Sequence, residues 1–196
     1  MAESVVSICN AALLDLGADV VASLDDGSAN ARRCNQLWPR LRDEVLRKHS
    51  WSCCMSMAEL AAGATAPVWK WAHRYPLPAD LLRVWEVADA QGGPVREWEV
   101  QGRALLCDAE APIYIAYVRR ETDPQKYDAT LGAVLAARLA AALAYPVTAS
   151  GTMAQAKWAE YEAQLREARG INAREGGRTQ EAQATGTWLA AKLGGA

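Results

Sequence analysis

Residues able to do chemistry are few and scattered in this 196-residue chain. Of its two histidines, His49 follows the end of a predicted helix, where an imidazole can interact with the last carbonyls. His73 sits in the aromatic run "VWKWAHRY" and reads as a packed or surface residue rather than a base. The five cysteines, Cys9, Cys34, Cys53, Cys54 and Cys107, are odd in number, include one adjacent pair and form no CxxC. Neither a disulfide framework nor a zinc site is expected from that spacing. Cys9, Cys34 and Cys107 lie in apolar periodic segments and read as small buried hydrophobes. Glu97 and Glu99 flank Trp98 on one strand-like run, so they share a solvated face rather than form an acid–base pair. No GxSxG, Walker A, GxGxxG, HExxH or EF-hand loop occurs. The expectation is a protein without enzymatic activity, cofactor or metal.

Charge and aromatics point to contacts rather than reactions. A net charge of −2 argues against a general nucleic-acid binder, because counterion release needs a cationic excess on at least one face. Arg greatly outnumbers Lys, which suits planar, bidentate protein contacts, although a GC-rich genome gives the same bias. Arg32, Arg33, Arg40, Arg42 and Arg47 fall with Asp43 on one predicted helix face. Asp43 and Glu44 interrupt that face, so protein contact is favoured over phosphate. "VWKWAHRY" could stack on single-stranded bases, with Lys70 and Arg74 supplying charge. Core and strand packing is the favoured reading, since the chain has no Phe and uses Trp and Tyr as its large residues.

The elements that position these residues follow from periodicity. Ser4 caps a helix running to Leu16, with Gly17 at its end and Asn10 and Asp15 outward. After "ADVVASLDDGS", Ser28 caps a second helix to about Lys48, with Ala31, Cys34, Leu37 or Trp38, Leu41 and Val45 inward. Pro39 falls inside it and predicts a kink. From Trp51 to Arg119 prolines cluster and "RVWEVAD", "REWEV", "RALLCD" and "PIYIAYV" are short β-type runs. "EVQGR" reads as a hairpin between Trp98 and Leu105.

"ATLGAVLAARLAAALAYPVT" then begins with sixteen residues whose only polar side chains are Thr130 and Arg138. As helix these span about 24 Å at ~1.5 Å each, short of a bilayer. Arg138 in mid-segment is costly in lipid, so a tightly packed helix of a soluble protein is expected. Its arginine should reach a carboxylate or an adjacent subunit. Pro146 is expected to end that helix. Thr152 and Gln155 are placed to form a capping box for a last one, whose seam is Ala154, Trp158, Tyr161, Leu165 and Ala168, with Glu162 and Arg166 paired on its surface. Beyond Gly170 a polar tail carries one apolar island, Trp188–Leu193. The expected fold is mainly α: an antiparallel helical bundle (4–17, 28–48, 129–145, 151–170) with an inserted small antiparallel β module (51–119) and an extended C-terminal tail.

The order of motifs resembles the tail tubular protein A family of short-tailed bacteriophages. "SICNAALLDLGA", "SLDDGSANARRCNQLWPRLRDEVLRKHSWSCC", "WAHRYPLPADLLRVWEV", "WEVQGRALLCD", "APIYIAYV" and "DPQKYDATLGAVLAARLAAALAYPVTAS" carry it over roughly residues 4–170. Most of the weight lies in "HRYPLPADLLRV" after a charged helix ending "RKHSW". The resemblance implies a structural virion protein at the head–tail junction, a ring of twelve copies joining portal to tail nozzle around the DNA channel. DNA passes through the lumen without sequence-specific binding, tail fibres are a further possible partner, and no enzymatic activity is implied. In that reading residues 1–170 are the adaptor domain and 171–196 a docking tail. Interface residues are expected at Arg32, Arg33, Arg40, Arg42, Arg138, Trp188, Leu189 and Leu193. "MAESVVSICN" lacks a basic n-region and a continuous apolar core, so no signal peptide is expected and assembly belongs in the host cytoplasm. The alternatives are a nucleic-acid-binding packaging protein using the Arg-rich helix, and a head-completion protein of a long-tailed phage.

Overall fold

A computed structural model of the chain describes residues 3–175. Helices α1 (Val5–Leu14) and α2 (Ala29–Lys48) come first. Six strands follow: β1 (Met55–Leu60), β2 (His73–Pro76), β3 (Leu81–Ala88), β4 (Glu99–Gln101), β5 (Ala104–Cys107) and β6 (Ile113–Arg119). Helices α3 (Ala129–Thr148) and α4 (Gly151–Glu175) complete the described chain.

The strands form two three-stranded antiparallel sheets, β1-β6-β3 and β2-β5-β4. This corrects the expected fold class. With 47% helix and 19% strand the protein is mixed α and β, not a mainly α bundle with a minor insert. The physical reason is that the sheets bury a core of their own. Leu60, Leu81, Val84, Val87, Ile113, Ile115 and Tyr117 of the first sheet meet Tyr75, Leu105 and Cys107 of the second. Layers that each supply an apolar face make a sandwich, not an appendage.

Two further clusters belong to the helices. Cys9, Ala12 and Leu13 of α1 pack with Ala31, Cys34 and Leu41 of α2 and with Leu139, Ala140 and Leu143 of α3. The other joins α2, α3 and α4 through Val45, Leu46, Leu135, Tyr161 and Leu165 and reaches the first sheet at Leu82 and Val118.

Local signals explain most boundaries. Ser4 and Ser7 form a reciprocal capping box, Ser28 Oγ accepts from Ala31 N at 3.0 Å, and Asp128 caps α3 by accepting from Leu131 N at 2.8 Å. The expected hairpin is present: β4 and β5 pair across a turn in which Gly102 has φ +58°. Asn10, expected outward, instead clamps the α1–α2 connection, donating to Val21 O at 2.9 Å and accepting from Val21 N at 2.8 Å.

α2 continues through Pro39, which was expected to kink the helix and not to end it. Three other helix boundaries differ from expectation. Pro146 does not end α3, which continues to Thr148 and closes with Ala149 in the left-handed region at φ 55°. The cap of α4 is Ser150, whose Oγ accepts from Met153 N at 3.2 Å, not Thr152. α4 also continues past Gly170 to Glu175, five residues into the expected tail.

At 20 residues, α3 is long and apolar enough to cross a membrane by length and composition, contrary to the expectation from its length. Its packing is that of a core helix. Leu131, Leu135, Leu139 and Leu143 are all buried against the other helices, and 56% of the most apolar window is buried.

Candidate interaction surfaces

Arg138 lies where α2, α3 and α4 meet. Its Nη2 donates to Glu44 Oε2 at 3.1 Å and its Nε to Glu44 Oε1 at 3.3 Å, a side-on bidentate pair. Lys48, one turn along α2 from Glu44, reaches the same carboxylate at 3.2 Å and donates to the Tyr161 hydroxyl at 3.3 Å. The guanidinium lies over the rings of Trp158, at 5.0 Å, and Tyr161, at 5.6 Å. Burial alone would raise the Glu44 carboxyl, but hydrogen bonds from Arg138 and Lys48 outweigh it and hold the group below the usual range. Arg138 thus reaches a carboxylate of its own subunit and is only 8% exposed.

The arginines of α2 divide. Arg32 is exposed and donates to Gly27 O, Arg33 donates to Asn30 Oδ1 at 3.1 Å, and Arg40 is exposed. Arg42 is buried and pairs with Asp43 at 2.7 Å, while Asp43 also accepts from Arg120 on the segment after β6 at 2.8 Å. Besides the expected inward positions α2 also buries Arg42 and Leu46, so its buried face is wider than the single stripe expected. Trp188, Leu189 and Leu193 lie outside the described residues.

Sequence reasoning missed the principal exposed apolar feature. In the connection from β1 to β2, Val68 is fully exposed and Trp69 is 83% exposed, although "VWKWAHRY" was expected to pack. Only part of that run does so: Tyr75 is buried, with its hydroxyl donating to Ala109 O at 2.6 Å. The connection is braced from below. Glu99 of β4 accepts from Trp71 Nε1 at 3.3 Å and pairs with Lys70 at 3.4 Å. Lys70 lies 4.5 Å from the Trp71 ring centre and adopts φ 74°. Asp108 accepts from Ala72 N at 2.8 Å, and Gly63 N donates to Arg74 O at 2.7 Å. A second apolar patch is the outer face of the first sheet, where Met57 (86% exposed) and Tyr114 surround Ala88 and Ala116. The only signal for either patch was Pro67 before Val68 and the polar Ser and Glu interleaved in "MSMAEL".

His49 follows α2 as expected, but its Nε2 meets Asn172 Nδ2 of α4 at 3.0 Å rather than an end carbonyl. Cys9, Cys34 and Cys107 are buried, as read. Among the described residues no group of three His, Cys, Asp or Glu side chains could hold a metal ion. Two exposed apolar surfaces are candidate functional features: the Trp69 projection and the outer sheet face. Comparison with known proteins adds no name to them, since no family model matches the chain and no curated protein matches it.

Proposed function

We propose that the chain is a structural adaptor that assembles into a ring at the head–tail junction of a short-tailed phage, between portal and tail nozzle. DNA passes through the lumen without being read, and the protein carries out no reaction. The motif order of residues 4–170 supports this reading. The observation that carries it is the braced projection: Val68 and Trp69 are held out in solvent by Glu99 and Asp108 rather than folded onto the sheet beneath. A Trp exposed on an ordered support is the type of anchor that protein interfaces use. A contact between unlike faces repeats around an axis, and gives a ring when its rotation closes.

Light scattering and electron microscopy of the purified chain, with and without portal rings, test the proposal. Rings alone, or rings formed on the portal, are expected. A monomer under both conditions overturns it.

A further inference from the structure

Near the C-terminal end of α2, a second group of cations gathers: Arg47, Arg83 and Arg169. Arg47 donates to Leu82 O, beside Arg83 at the start of β3. Arg169 of α4 donates to Lys48 O at 2.9 Å, beside His49. Arg83 lies 5.1 Å from the ring centre of Trp85, which is itself partly exposed. Two features single out Arg83. Among the described residues, its Nε and Nη2 are buried without a hydrogen-bond partner, as is Nε of Arg169. The neighbouring charges that act on it are those of Arg47 and Arg169, both positive.

The Nε–Nη2 edge of a guanidinium presents two parallel donors, matched to the two oxygens of a carboxylate. Arg138 uses that edge on Glu44. In Arg83 the same edge is unfilled, and leaving buried donors unpaired is costly. We infer that Arg83, flanked by Arg47, Arg169 and Trp85, is the docking site for a carboxylate side chain of a partner polypeptide. These two donors carry no exposed surface, so pairing with an acidic side chain requires Arg83 to turn outward. The cations also form one corner rather than the extended stripe that a nucleic-acid track requires. Trp85 beside the arginine supplies the apolar half of an Arg–Trp interface anchor. This inference does not depend on the ring or on the phage assignment.

The test is fluorescence anisotropy of the full-length chain with labelled hexaglutamate, using hexaglutamine, inorganic phosphate and a short DNA duplex as the other probes. Hexaglutamate is expected to bind and hexaglutamine not to bind. Arg83→Met should weaken hexaglutamate binding about tenfold or more, and Arg83→Lys nearly as much, because an ammonium cannot make the bidentate pair. Arg40→Met, on the exposed face of α2, should change it little. Circular dichroism confirms folding; if Arg83→Met fails to fold, Arg169→Gln on the same corner must give the loss instead. Equal binding by wild type and Arg83→Met overturns the inference. So does absence of hexaglutamate binding, or Arg83-dependent binding of only the duplex or only phosphate.

Discussion

Two arginine neighbourhoods beside the last turns of α2 are built on opposite principles. Around Arg138 every charge is answered within the chain: Glu44 takes the guanidinium, Lys48 shares the carboxylate, and Trp158 and Tyr161 cover both cations. Around Arg83 the neighbouring charges repeat its own sign, and two of its donors have no partner among the described residues. The first arrangement closes an interior. The second leaves donors unfilled, the capacity on which the proposed carboxylate contact rests.

Substitutions that break this contrast differ in size. Glu44→Ala should have the largest effect. It leaves a nearly buried guanidinium and a lysine facing each other without a carboxylate, and removing one member of a buried pair costs about 3–5 kcal/mol. Because Glu44 is about a third exposed, a loss of roughly 2–3 kcal/mol is expected, read from urea unfolding. Acid should act in the same direction. The folded-state pKa of Glu44 is depressed, so its contribution is present above the unfolded value near 4.5 and disappears as pH falls through the folded one. Glu44→Ala should flatten that dependence.

Arg138→Met should cost less, on the order of 1 kcal/mol. Lys48 remains to neutralise Glu44, and a thioether suits the space between two aromatic rings. A loss as large as that of Glu44→Ala would mean that Lys48 does not share the carboxylate. Arg83→Met should be smaller still, within about 0.5 kcal/mol of wild type, since no pair is broken and an uncompensated charge is removed. A loss above about 2 kcal/mol would erase the distinction between the two sites.

The smallest expected effect is on His49. Its burial, with Arg169 and Arg83 beside it, holds the imidazole below the ordinary range near 6.5. The neutral ring is therefore favoured by folding, and its contribution to stability is complete above that value and lost as pH falls through the folded pKa. In Arg83→Met the NMR titration midpoint of His49 should move up. An unchanged midpoint would place Arg83 out of electrostatic reach of His49.

Legibility in the sequence followed the range of the interactions. Helix starts at Ser4, Ser28 and Asp128 depend on groups within three residues, and the first two were read directly from their caps. The hairpin at Gly102 is equally local. β1 and β2 were not separable as strands: "MSMAEL" is an edge strand whose exposed Met57 breaks the alternation, and "HRYP" is four residues ending in proline. Pairing β2 with β5 joins residues about 30 positions apart, and nothing near either strand announces the partner. Pro146 was misplaced because a proline near a helix end costs only one donor, which the last turn of α3 tolerates. For the sites the separation is greater. Glu44 and Arg138 are 94 positions apart. Arg47, Arg83 and Arg169 come from α2, β3 and α4, so neither the closed nor the open neighbourhood has a linear signature.

Asn172 ties the last turns of α4 to the junction between α2 and β1. Its side chain donates to Ser50 O at 3.1 Å, accepts from Ser52 N at 3.0 Å and meets His49 Nε2. Arg169, one turn earlier, holds Lys48 O. Tension applied to the chain beyond Glu175 therefore does not peel α4 from its far end. It enters the subunit at this fastening, between helices and sheet, where several bonds share the load and must part together. The molecule is stitched at the point where a pull would arrive.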